Sequence, residues 1–158
     1  MRLSVLDQSP VPSGSTGGDA LRNSIDLAKH CEAFGYHRYW VAEHHNTGGL
    51  AGSSPEILIG HVASETSTIR VGSGGVMMPH YAPYKIAENF RMLASLHPGR
   101  IDVGVGRAPG SDQAAMVALA PDHQPISISK YPSMVAELDG FLHDSLGEES
   151  PFAGRVRA

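Results

Sequence analysis

Four short apolar runs, Leu3–Leu6, Tyr39–Ala42, Ile69–Val71 and Ile101–Val105, alternate along this chain with stretches of helical periodicity. Leu21, Ile25, Ala28 and Cys31 recur at helical spacing, with Asp19 as a candidate cap and Gly35 as the stop. Pro55, suited to the first turn of a helix, opens a stretch carrying Leu58, Val62 and Ala63. Ile86, Phe90 and Leu93 mark a third helix, closed by His97-Pro98-Gly99. Strand, loop, helix in repetition predicts βα units and a parallel sheet. The strands are nearly unbroken apolar runs, as expected when helices cover one face and another layer the other.

The connections are unequal. Each strand leaves through a long polar or Gly-rich loop, whereas each helix returns through a brief turn. In parallel α/β folds the loops after the strands carry function, and the unusual residues here lie on that side. Beyond Val105 the pattern loosens: Gln113–Leu119 reads as a short helix, and Met134, Val135, Leu138, Phe141 and Leu142 as a longer amphipathic one, with no fifth strand.

Composition narrows the class. A net charge of -4 with no Lys/Arg cluster gives no reason to expect a nucleic-acid partner. A single cysteine, Cys31, cannot form an internal disulfide and suits a reducing cytoplasm. The apolar start meets Asp7 too soon for a signal peptide, and no run approaches the roughly 20 residues of a membrane span.

Three strand ends carry residues with chemical potential. Glu43-His44-His45-Asn46 follows the second strand, where adjacent side chains point to opposite faces, so one histidine at most faces a given pocket. A neutral imidazole there suits proton transfer near neutral pH. Glu43 with one histidine and His61 or His80 could instead hold a metal, but no spacing matches a zinc pattern, and the pair also reads as a polar loop start. Gly72-Ser73-Gly74-Gly75 ends the third strand; glycine allows backbone that a side chain forbids and lets a flat ligand approach, or it is a plain turn. Arg107, after the fourth strand, could grip a phosphate or serve as a structural arginine.

Taken in order, LSVLDQSPVPSG, RYWVAEHHN, IRVGSGGVMMPHYAPYKIAENF and GRIDVGVGRAPGSD resemble the bacterial luciferase-like flavin monooxygenase family. The combination W-x-x-E-H-H with G-S-G-G-V-x-x-P-H-x-x-P-x-x-x-A-E is specific, and the likeness runs along the whole chain. The resemblance implies a (β/α)8 TIM barrel that uses reduced FMN and O2 to oxygenate a small organic substrate, with F420 the less favoured cofactor. His44 matches the family's active-site histidine. Gly74-Gly75, next to Ser73, matches its non-proline cis peptide beneath the flavin ring, and Arg107 matches a phosphate-binding residue. An NAD(P)H-dependent flavin reductase as the source of FMNH2, and a homodimer, are the implied partners; no metal is implied.

A complete barrel takes about 250 residues. Residues 1–158 are therefore expected to form about the first four βα units, the N-terminal half of one barrel domain with no second domain. Such a piece could belong to a longer protein, pair with another copy, or be a non-catalytic flavin-binding or structural remnant.

Overall fold

A computed structural model describes residues 1–158. It contains β1 (Ser4–Asp7), α1 (Gly17–Ala33), β2 (Arg38–Val41), α2 (Pro55–Glu65), β3 (Arg70–Ser73), β4 (Val76–Met77), α3 (Pro83–Leu96), β5 (Ile101–Asp102), β6 (Val105–Gly106), α4 (Gln113–Leu119) and α5 (Tyr131–His143). The main sheet is parallel, in the order β1-β2-β3-β5, and a parallel β4–β6 pair forms a second, two-stranded sheet.

The register turns sequence alternation into layers. Val5, Tyr39, Val71 and Ile101 stand abreast, and Leu6, Trp40, Gly72 and Asp102 form the next row. The first row belongs to the apolar core beneath the helices, with Leu58, Ile59, Val62, Ile86, Phe90 and Leu93. The second faces the concave side, where Leu6 is 55% exposed. Trp40 therefore does not anchor the core as its neighbours Tyr39 and Val41 do; it is half-buried on the other face. Such alternation is the period-two rule acting on an apolar run.

The concave face begins with charge rather than hydrocarbon. Arg38 Nε donates to Asp102 Oδ2 at 2.9 Å, and Arg70 donates to both carboxylate oxygens at 2.8 and 2.6 Å. Burial works to raise the Asp102 carboxyl, yet the guanidiniums of Arg70 and Arg38 hold it below its ordinary value. The Arg38 guanidinium also lies 5.8 Å from the Trp40 ring centroid.

Two expectations need adjusting. Asp19 is not the cap of α1: Thr16 is, and Asp19 sits at the third position and returns the bond to the Thr16 N–H at 2.9 Å. This reciprocal box satisfies two amide donors that open the helix. The fourth strand is not continuous from Ile101 to Val105 but breaks at Val103-Gly104, beside the break between β3 and β4. There the Ser73 hydroxyl replaces ladder bonds, donating to the Gly104 carbonyl at 2.8 Å and accepting its N–H at 3.1 Å.

At the strand N-terminal end, the Glu32 carboxylate accepts the N–H groups of Ser67, Thr68 and Ile69, and Arg100 donates to carbonyls of Ala63, Thr66 and Ile69. These bonds fix the short returns. α5 packs on α3 through Met134, Leu138 and Phe141. No helix is long and apolar enough to cross a membrane.

Candidate functional site

β2 delivers Glu43, His44, His45 and Asn46 directly to the loop end of the sheet. Glu43 is 1% exposed, and three donors converge on its carboxyl: His45 Nε2 at 2.6 Å and Tyr81 Oη at 2.7 Å on Oε1, and the Met77 N–H at 2.8 Å on Oε2. Burying a carboxyl is costly unless its oxygens are matched, and here both are. Burial, then the bond to Glu43, push the Tyr81 phenol well above its ordinary value, so it remains a donor. Tyr81 was not read as a partner from sequence; it lies 38 residues from Glu43 and no local spacing joins them.

The two histidines diverge, as alternation requires. His45 is tied to Glu43 and meets His80 edge to face, ring centroids 5.6 Å apart. The His44 amide donates to the Gly52 carbonyl at 2.8 Å, but its Nδ1 is sealed from solvent and bonds no protein group. An unmatched buried nitrogen costs about 1–3 kcal/mol, so Nδ1 contributes nothing to stability. His61 lies on the solvent side of α2, and no group of three His, Cys, Asp or Glu side chains is placed to hold a metal ion.

Gly74 and Gly75 are joined by a cis peptide. A Cβ on Gly74 would lie 2.9 Å from Leu6 Cδ1 and 3.1 Å from Trp40 Cβ, on the concave face. One on Gly75 would lie 2.8 Å from the Gly104 carbonyl oxygen. Gly75 has no room for a side chain and Gly74 gains it only if Leu6 moves aside, and the Gly74 N–H ties this bare platform to the Val41 carbonyl at 2.7 Å. Ser73 is fully buried, its hydroxyl committed to Gly104.

Arg107 is exposed and bonds no protein group. The loop that follows it is docked on the histidine loops by three bonds. The His45 N–H donates to the Gly110 carbonyl at 2.9 Å, His80 Nε2 lies 2.6 Å from the Pro109 carbonyl, and Asn46 Nδ2 donates to Asp112 Oδ2 at 2.7 Å. Asp112 also caps α4 through the Ala115 N–H. The three strand ends singled out in the sequence are thus hydrogen-bonded into one surface. Two surface cavities lie elsewhere, one between α1 and α2 beside Ile25 and Ile57, another beneath the tail beside Phe141 and Val156.

The family described as luciferase-like monooxygenase matches residues 1–137. A luciferase-like monooxygenase of Escherichia coli strain K12 is 52% identical over 136 residues, covering 86% of this chain and 40% of the relative. The crystal structure of apo-MsnO8 superposes with a TM-score of 0.88 at 44% identity, over 99% of this chain and 46% of that one. The type II Baeyer–Villiger oxygenating constituent of 3,6-diketocamphane monooxygenase from the CAM plasmid of Pseudomonas putida, solved with FMN, shares the fold at 19% identity. Its TM-score is 0.74, over 91% of this chain and 40% of that one. The chain spans under half the length of the proteins it matches.

Proposed function

This chain belongs to the luciferase-like monooxygenase family, and we propose that its strand-end surface serves FMN-dependent oxygenation of a small organic substrate. The observation that carries this reading is the His44 imidazole, neither nitrogen of which bonds a protein group, on the same bonded surface as a main-chain platform with little room for side chains. Both features suit a flat, polar cofactor: the platform can take a ring closely, and the imidazole keeps an unbonded, unsealed Nε2 for a bound group. The fold likeness to a protein solved with FMN supports the cofactor class.

When bound, reduced FMN supplies the electrons that divide O2, one oxygen atom passing to the substrate and the other leaving as water. Gly74 and Gly75 seat the ring. Ser73 serves the same site through the Gly104 main chain it holds. Arg107, free of protein partners, is the cation for the phosphate. His44 holds or accepts a proton at Nε2, its unbonded ring nitrogen that is not sealed, the role for which an imidazole suits neutral pH. An NAD(P)H-dependent reductase supplies FMNH2 from outside, and F420 is the competing cofactor.

Titrating the chain with FMN, FMNH2 and F420 tests the cofactor assignment. The FMN forms are expected to saturate, and saturation by F420 alone would reverse the choice. In a barrel-length form, His44→Ala is expected to lower turnover while sparing flavin affinity, and unchanged turnover removes His44 from the chemistry. A second reading, a non-catalytic flavin-binding or structural piece, draws on the exposure of Leu6 on the concave face. It forecasts no substrate oxygenation by this chain and, with excess FMNH2, no oxygen consumption beyond the oxidation of free FMNH2 itself.

A further inference from the structure

Glu43 is the most thoroughly bonded buried acid in the molecule, and its partners come from separate segments of the strand-end surface: His45 from the loop after β2, the Met77 amide from β4, and Tyr81 from the turn before α3. The proton-transfer role assigned to His44 leaves this arrangement unused. Its geometry nevertheless fixes more than packing. A carboxylate only accepts hydrogen bonds, so the imidazole nitrogen 2.6 Å from Oε1 must carry the proton between them. The other ring nitrogen, Nδ1, bonds no protein group and is not among the polar atoms sealed from solvent.

We propose that Glu43 is a positioning residue that locks His45 as its Nε2–H tautomer, making His45 Nδ1 a second proton acceptor on this surface. The proposal rests on reading the strand-end surface as the functional site, and extends it from one imidazole to two with distinct supports. His44 has an unpartnered nitrogen, whereas His45 has a buried acid that dictates which nitrogen is basic. Orientation of an imidazole by a carboxylate on its far nitrogen is a general means of fixing a base. The edge-to-face contact with His80 and the backbone bond to Gly110 restrict the ring and chain of His45 further.

Substitution of Glu43 by glutamine sharpens the inference. Three donors face two carboxyl oxygens, and glutamine offers one oxygen and one NH2. The Met77 amide is a fixed donor that can neither rotate nor lose its proton, so the single oxygen turns to it. The NH2 group then faces His45, which must accept at Nε2 and carry its proton on Nδ1. Glu43→Gln is therefore expected to invert the tautomer of His45, a change that a merely structural carboxyl would not bring about.

The test is a long-range proton–nitrogen NMR spectrum of the isotope-labelled chain, recorded without flavin at about pH 8, above the usual imidazole value of about 6.5. The wild-type chain is expected to show His45 with a protonated Nε2 and a bare Nδ1, and Glu43→Gln the reverse. A wild-type ring that is Nδ1–H, doubly protonated or averaging between tautomers overturns the proposal. So does a folded Glu43→Gln chain with an unchanged His45 spectrum. If Glu43→Gln does not fold, the wild-type spectrum decides alone. Because no flavin is present, failure of the cofactor assignment leaves this result intact, and the converse also holds.

Discussion

Removing one oxygen atom from Tyr39 tests how this fold joins its first two strands. Tyr39 is fully buried, and its hydroxyl donates to Asp7 Oδ2 at 2.7 Å and is 2.9 Å from the Ser24 carbonyl. Burial, then the bond to Asp7, push the phenol far above its ordinary value, so it stays a donor at any working pH. Tyr39→Phe keeps the ring and leaves Asp7 Oδ2 unmatched, while the Ser9 N–H still serves Oδ1 at 2.8 Å. A bond to a carboxylate is worth about 1.5–3 kcal/mol, and with half the carboxyl still matched we expect a loss of about 2 kcal/mol. With a urea m-value of about 2 kcal/mol/M the unfolding midpoint should fall by about 1 M at unchanged slope. In a thermal scan the same loss is about 4–8 °C. Tyr36→Phe, which removes a hydroxyl with no partner, is the control. A Tyr39→Phe chain within about 0.5 kcal/mol of wild type would refute the argument that this network holds β1 to β2.

Three further outcomes are expected. Glu32, despite its partial burial, has its carboxyl lowered from 4.5 to about 2 by the amides of Ile69, Thr68 and Ser67, and Asp19 in the α1 box falls from 3.8 to about 2. A depressed carboxyl stabilises the fold above its unfolded value, so stability should drain away between about pH 4.5 and 2, and Glu32→Gln should flatten that limb in urea titrations at stepped pH. Gly72→Ala sets a Cβ 2.6 Å from the Asp102 carbonyl oxygen and 2.7 Å from the Trp40 ring, and should cost about 1–3 kcal/mol; a neutral result would mean that β3 and β5 are not held at this spacing. His44→Ala removes an unmatched buried nitrogen and keeps the bond from its amide to Gly52, so urea unfolding should shift little, whereas a large loss would make His44 structural.

The alternation of strand and helix was legible because each element declares itself locally. Pro55 and Pro83 stand at the first turns of α2 and α3, and Gln113–Leu119 is helical over the span its pattern marks. The cap of α1 was also within reach, since Thr16-Gly17-Gly18-Asp19 has the spacing of a reciprocal box, but attention to the acid alone chose its wrong end. The apolar run Tyr39–Ala42 conceals the alternation that sets Trp40 on the concave face; the charged row of Arg38, Arg70 and Asp102 beside it is what reveals that face. That row, like the meeting of Glu43 with Tyr81, joins residues more than thirty positions apart, and register alone brings them together. The split of the third and fourth strands has the same origin, a Ser73 hydroxyl whose partner Gly104 lies on another strand end. Which residues stand at the loop end could be read from type and position; which of them support one another could not.

The central claim is that this surface takes a reduced flavin. Its most direct test is an anaerobic titration of the 158-residue chain with FMN and FMNH2, with mass and oligomeric state recorded on the same sample. Saturable binding by a defined species, weakened by Arg107→Ala and by a side chain at Gly74, is the result this account expects. No saturation by either form of FMN in a folded, monodisperse sample would contradict it.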